Sequence, residues 1–130
     1  MEESPKKILI ADDDLNYSDY AKSALTKAGF FVDTAGDGDE TLEKTNNKSY
    51  DMILLDILMP AKTGLEVLEE LRGKNDKTPA IVFTTLLNDE ERRQALSLGA
   101  VGYYVKSTDF NELVSIVSSY FSGQIKQTNV

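Results

Sequence analysis

The sequence predicts a doubly wound α/β fold, five short parallel strands alternating with five helices, on three observations. Ile8-Leu9-Ile10, Ile53-Leu54-Leu55 and Ile81-Val82-Phe83 are continuous rather than alternating apolar runs, the pattern of strands buried on both faces. Segments with helical apolar spacing separate and follow these runs. Four of those segments open with Asp, Thr or Asn three residues ahead of a Glu: Asp37/Glu40, Thr63/Glu66, Asn88/Glu91 and Asp109/Glu112. Such pairs mark helix starts, because the first side chain accepts hydrogen bonds from N–H groups that have no partner inside the helix.

In chain order, Lys7–Ala11 is the first expected strand. Tyr17, Tyr20, Ala21, Ala24, Leu25 and Ala28 then fall at helical spacing, and Gly29 supplies the left-handed residue that ends many helices. Phe31–Ala35 alternates weakly and suits an edge strand. A helix begins at Asp37, a fully apolar strand runs over Met52–Asp56, and a helix carrying Leu65, Leu68 and Leu71 begins at Thr63. Ala80–Thr84 is the fourth strand, and the helix from Asn88 ends near Gly99. Gly102–Lys106 is the fifth strand, and Leu113, Ile116, Val117 and Tyr120 form the apolar face of the last helix. Parallel strands need helical crossovers, so the expected topology is (βα)5.

Size and composition bound the function. The 130 residues, 41% hydrophobic and 28% charged, suit a single globular domain with a core over about residues 6–122 and a polar tail over 123–130. A formal net charge of −8 disfavours direct nucleic-acid binding. No apolar run approaches the roughly 18 residues of a membrane span, so membrane insertion is not expected. The chain has no Cys and no His, which excludes disulfides, thiolate metal sites and histidine chemistry and suits a cytoplasmic location. Chemistry is left to carboxylates, Lys, Ser/Thr and Tyr.

Those groups converge. In a doubly wound sheet, ligands bind outside the carboxyl ends of the strands. Asp12 and Asp13 follow the first strand, Asp56 ends the third, Thr84 the fourth and Lys106 the fifth. Each has a plain alternative: an Asp run after a strand is often a helix cap, as Asp14 is expected to be, a Thr there a turn residue, and a Lys there a solvated edge. Four strands delivering polar groups to one side favours a site. Three carboxylates in one cleft repel unless a cation lies among them. Mg2+ (or another divalent cation such as Mn2+) prefers such oxygen ligands and bridges carboxylates to phosphate. Asp56 can then act as a nucleophile forming an acyl phosphate, with Lys106 and Thr84 as further contacts to the phosphoryl oxygens.

The segments Ile-Leu-Ile-Ala-Asp12-Asp13-Asp, Met-Ile-Leu-Leu-Asp56-Ile-Leu-Met59-Pro60 with Gly64, Ile-Val-Phe-Thr84-Thr85 and Leu-Gly99-Ala100-Val-Gly-Tyr103-Tyr-Val-Lys106 resemble the response-regulator receiver family of two-component signalling, in particular its chemotaxis-type single-domain phospho-acceptors. The resemblance spans roughly residues 6–122 and implies a flavodoxin-like sheet of strand order 2-1-3-4-5. It implies Asp56 as phospho-acceptor, Asp13 as direct metal ligand, Asp12 as a ligand acting largely through water, and the main-chain carbonyl of Leu58 as a further ligand. Thr84 and Lys106 match the phosphoryl-contacting pair, and Tyr103 matches the switch aromatic behind an α4–β5–α5 readout face. There Leu86, Leu87, Tyr103, Tyr104 and Phe110 are expected to form an apolar contact patch. The implied donor is a phosphohistidine on a sensor histidine kinase or histidine phosphotransfer protein. The implied output is an unnamed protein target bound by a monomer or weak phosphorylation-dependent dimer.

Three other functions compete. An aspartyl-nucleophile phosphohydrolase, an enzyme with turnover, wants a second Asp two residues after the nucleophile, where this chain has Leu58. A flavodoxin-like cofactor binder needs a phosphate-cradling Ser/Thr/Gly loop after the first strand, where this chain has Asp12-Asp13-Asp14. A degenerate receiver would lack part of the acidic set, Thr84 or Lys106. A phospho-acceptor switch, not an enzyme in the turnover sense, is therefore expected. One departure stands out: the family's usual Pro after the Lys is Ser107 here, so a trans Lys106–Ser107 bond and a rearranged loop over Ser107-Thr108-Asp109 are expected.

Overall fold

The structure, a computed structural model, describes residues 4–123; of the expected polar tail, residues 124–130 lie outside the described residues. The apolar runs form β1 (Lys7–Ala11), β2 (Phe31–Ala35), β3 (Met52–Asp56), β4 (Ala80–Thr84) and β5 (Gly102–Val105), all paired in parallel in the order β2-β1-β3-β4-β5. The order reverses between β1 and β3, which opens a crevice at their carboxyl ends. β5 stops one residue earlier than the sequence suggests, yet Lys106 N–H still donates to the Thr84 carbonyl at 2.7 Å.

The helices are α1 (Leu15–Lys27), α2 (Gly38–Asn47), α3 (Gly64–Gly73), α4 (Asp89–Ser97) and α5 (Phe110–Phe121). Their N-caps are Asp14, Asp37, Thr63, Asn88 and Asp109, each accepting from the first turn. Thr63 and Glu66 form a reciprocal capping box. A cap of this kind stabilises by about 1 kcal/mol. Gly29 and Gly99 follow the ends of α1 and α4 with φ of 101° and 83°, in the left-handed region that glycine adopts without strain.

Alternation along the strands builds two cores. Ile8, Ile10, Met52, Leu54, Ile81 and Phe83 face Ala21 and Leu25 of α1 and Leu113 and Val117 of α5. Leu9, Ala11, Ile53, Leu55 and Val82 face Leu42 of α2, Val67, Leu68 and Leu71 of α3, and Ala95 of α4. Truncating a side chain as buried as Leu68 to Ala costs about 2–5 kcal/mol. Among the described residues every peptide bond is trans, Lys106–Ser107 included. The β5–α5 loop is held by the Ser107 hydroxyl oxygen accepting from Asp109 N–H at 2.9 Å, while Asp109 caps α5.

The expected apolar patch does not form. Successive residues of a strand point to opposite faces, so β5 sends Tyr103 into the core beside α3 and α4 and Tyr104 toward α1 and α5. Phe110 packs on Tyr17 and Tyr20. Only Leu86 and Leu87 of that group are strongly exposed. Tyr20 of the expected α1 apolar face is likewise exposed.

Candidate functional site: an acid pocket at the strand ends

Asp12 lies just past β1 and Asp56 ends β3, so the two carboxylates flank the crevice where strand order reverses. Both are buried, at 3% and 6% exposure, and exposed Asp13 joins them at the rim. One carboxylate oxygen of each of Asp12, Asp13 and Asp56 lies within 4.8 Å of the others. Oxygen-only donors at this spacing fit Mg2+, which takes oxygen ligands and completes its shell with water. The Leu58 carbonyl belongs to the loop that leaves β3 toward α3.

That loop is fixed by close packing. Gly64 N–H donates to the Ile57 carbonyl at 2.8 Å, and a Cβ at Gly64 would overlap the Asp56 carbonyl. The first turn of α3 thus presses directly on the backbone that carries Asp56, which is why the chain needs glycine there.

Lys106 reaches in from β5. Its ammonium lies 2.6 Å from Asp12 Oδ2 and 3.4 Å from Asp56 Oδ2, with its side chain 11% exposed. Asp12 Oδ1 accepts from Asp14 N–H at 2.9 Å. Asp12, Asp56 and Lys106 all project on the α1–α5 side of the sheet, whereas Thr84 shares the other side with Tyr103. The buried Thr84 hydroxyl meets the backbone of Leu86, accepting from its N–H at 3.5 Å and donating to its carbonyl at 3.4 Å. Tyr103 is 5% exposed; its hydroxyl accepts from Asn88 N–H at 3.1 Å and donates to the Asn88 carbonyl at 3.3 Å. Thr84 and Tyr103 therefore hold the same β4–α4 loop at two points.

The electrostatics follow from this packing. Burial first, and then the Asp12 charge, push the Asp56 carboxyl up to about 6, with Lys106 opposing. Burial alone would lower the Lys106 ammonium, but its hydrogen bond to Asp12 and the two carboxylate charges override that and raise it. Such a site suits a cation: Lys106 already supplies one positive charge, and a divalent metal held by Asp12, Asp13 and Asp56 would supply the rest.

A family model described as the response regulator receiver domain matches residues 8–118. The chain belongs to this family. As a receiver domain of a two-component response regulator it is a phosphorylation-based signalling switch, and phosphorylation of an aspartate and use of Mg2+ are typical of its relatives. It is 38% identical over 125 residues to the transcriptional activator protein IrlR of Burkholderia pseudomallei, covering 95% of this chain and 54% of that protein. It is 37% identical over 111 residues to the transcriptional regulatory protein CusR of Escherichia coli, covering 85% and 49%. The receiver domain thus spans about half the length of these curated relatives. Among solved structures it resembles the receiver domain of Francisella response regulator 1452, with a TM-score of 0.84 and 31% identity over 91% of this chain and 98% of that one. It also resembles response regulator TrrA of Thermotoga maritima, solved in complex with Mg2+-BeF, with a TM-score of 0.79 and 36% identity over 88% and 97%. Among the described residues no helix is long and apolar enough to cross a membrane.

Sequence reasoning placed Asp12, Asp13, Asp56 and Lys106 together, as the fold does. It missed Tyr17, whose ring lines the pocket beside Asp12 and Asp56. The available signal was position: Tyr17 sits in the first turn of α1, directly after the acidic run, where side chains lean back over the strand ends.

Proposed function

We propose that this receiver domain, read as one unit over residues 1–130 with its core at about 6–122, takes a phosphoryl group onto Asp56 from a phosphohistidine. The observation that carries this reading is the grouping of Asp12, Asp13 and Asp56 oxygens within 4.8 Å beside the Lys106 ammonium. Asp13, Asp56 and the Leu58 carbonyl are the direct ligands in this reading, with Asp12 acting largely through water. Mg2+, or Mn2+, would neutralise the carboxylates and let an anionic donor enter an anionic cleft.

An Asp56 carboxylate oxygen attacks phosphorus as the P–N bond of the donor breaks, its electron pair leaving on the imidazole; the product is an acyl phosphate. Lys106 moves from the carboxylates to a phosphoryl oxygen, and the Thr84 hydroxyl turns from Leu86 to another. Releasing Leu86 shifts the β4–α4 loop that Tyr103 also holds through Asn88. The change is then read at the α4–β5–α5 face by a separate protein target. The net charge of −8 argues against nucleic acid as the direct ligand of this unit. The donor is a sensor histidine kinase or histidine phosphotransfer protein in the cytoplasm, and the domain acts as a monomer or weak phosphorylation-dependent dimer. It returns its phosphoryl group to water slowly and is a switch rather than a turnover enzyme.

The test is incubation with Mg2+ and a small phospho-donor such as acetyl phosphate, followed by intact-mass measurement. One phosphoryl group on the wild type and none on Asp56→Asn is expected. Equal uptake by the variant would move the acceptor elsewhere.

A further inference from the structure

The acid pocket has an aromatic wall with no part in the scheme above. Tyr17 lines it with Ile10, Leu54 and Phe83. The Lys106 ammonium stands 4.7 Å from the centre of the Tyr17 ring. The same ring meets Phe110, the first residue of α5, with centroids 5.4 Å apart and planes inclined at 49°. Phe110 also meets Tyr20 of α1 at 5.9 Å. Lys106 and Phe110 are the two residues bounding the Ser107-Thr108-Asp109 loop, so one ring touches both ends of the connection that follows β5.

Lysine carries a compact charge on a flexible stem with much rotamer freedom to lose. Its two carboxylate partners would be drawn on by a metal, so they alone do not hold it in place through the reaction. An ammonium within about 6 Å of an aromatic centroid is attracted to the ring face, more strongly where water is excluded. Lys106 is largely desolvated at this point. Phe110 in turn braces the ring at 5.4 Å, an offset, tilted contact of the favourable kind.

We infer that Tyr17 is a positioning residue for Lys106, its ring braced by Phe110 and holding the ammonium over Asp12 and Asp56 by a cation–π contact. This rests on the reading of Asp56 as phospho-acceptor and adds a residue to it. It also accounts for how a loop with Ser107 in place of proline keeps Lys106 aimed: the brace comes from across the α1–α5 boundary rather than from the loop itself.

The test compares wild type, Tyr17→Phe and Tyr17→Leu. Phe keeps the ring face and Leu keeps much of the volume without it. Two readouts are taken: the NMR shift of the Lys106 methylene protons beside the ammonium, and the rate constant of phosphoryl uptake from acetyl phosphate with Mg2+. In the wild type and in Tyr17→Phe the ring current moves those protons upfield, and uptake rates agree within about twofold. In Tyr17→Leu the protons return toward the shift of a free lysine, and uptake slows by roughly three- to thirty-fold. A ring that merely fills space between α1 and α5 would lower the melting temperature of Tyr17→Leu and leave the rate per folded molecule unchanged; that result overturns the inference. Should Tyr17→Leu not fold, Phe110→Leu, which removes the brace, is read the same way. If the wild type itself takes up no phosphoryl group, the acceptor reading fails, and the Lys106 shift alone decides whether Tyr17 holds the ammonium.

Discussion

Lys106 Nζ sits closer to Asp12, at 2.6 Å, than to Asp56, at 3.4 Å. The lysine assigned to the phosphoryl group therefore rests on a carboxylate assigned to the metal, so metal binding and the lysine's contacts are coupled. Adding Mg2+ should loosen the Lys106–Asp12 pair and stabilise the fold by RT ln(1 + [L]/Kd), about 1.4 kcal/mol at tenfold excess over Kd, or roughly 4–6 °C in Tm. Asp13→Asn should weaken this gain while raising the metal-free Tm, because it removes one charge that repels Asp56. Identical melting of the wild type with and without Mg2+ would contradict the metal assignment.

Asp56 makes a pH-dependent contribution to stability. Its folded pKa is raised from 3.8 to about 6, so the folded state binds more protons than the unfolded state between those values. Stability from this group is full below about pH 4, falls as pH rises through about 6, and is absent above. At pH 7 the ionised carboxylate accordingly costs up to roughly 3 kcal/mol. Asp56→Asn should raise Tm at pH 7 while abolishing phosphoryl uptake, and the gain should vanish by about pH 4; Lys106 keeps Asp12 as its partner. Thermal melts of both proteins across pH 4–8 without metal check it, and a constant difference would refute the shift.

Leu58 and Leu86, two residues beyond Asp56 and Thr84 in the loops that leave β3 and β4, are 65% and 77% exposed. Loop leucines packed on each other would be covered, and these are not. Neither can orient a water for in-line attack on an acyl phosphate, so the phosphorylated state should be long-lived. Leu58→Asn or Leu86→Glu should hasten its decay by roughly tenfold, below the 10²–10⁴ typical of a positioned general base. Phosphate release followed after removal of the donor decides the matter; unchanged decay in both variants rules it out.

Tyr103 ties β5 to the N-cap of α4 through Asn88. Tyr103→Phe should cost about 0.5–1.5 kcal/mol in stability and leave phosphoryl uptake within about twofold. Tyr103→Ala should weaken partner binding far more than uptake. Calorimetric binding to a target peptide or protein, beside intact-mass kinetics, separates the two; equal loss of both would make the tyrosine purely structural.

Local signals in the sequence were enough for the elements of the fold. Continuous apolar runs marked β1, β3 and β4, since burial on both faces leaves no room for alternation, and the weakly alternating Phe31–Ala35 and the run Gly102–Lys106 marked β2 and β5, all five to within one residue. Asp14, Asp37, Thr63, Asn88 and Asp109 gave every helix start, because unpaired N–H groups demand an acceptor at that one position. The site was legible for the same reason: the carboxyl end of a strand is a fixed place in a doubly wound sheet, so Asp12, Asp56 and Lys106 had to converge.

The tertiary structure decided which of these neighbours touch. Contacts between residues far apart in the chain depend on sheet register and side-chain reach, which no local pattern encodes. So it was packing that set Lys106 nearest Asp12, sent Tyr103 to α4 and Tyr104 away from it, and turned Thr84 toward Leu86. Packing likewise placed the ring of Tyr17 against Lys106 and Phe110, and made Arg72 donate to the carbonyls of Leu98, Asp76 and Thr78 at 2.7, 2.8 and 2.9 Å. Residue types and spacing determined that an acid pocket exists at the strand ends. Close packing of the helices against the sheet, where each side chain must find both volume and a polar partner, determined what surrounds it.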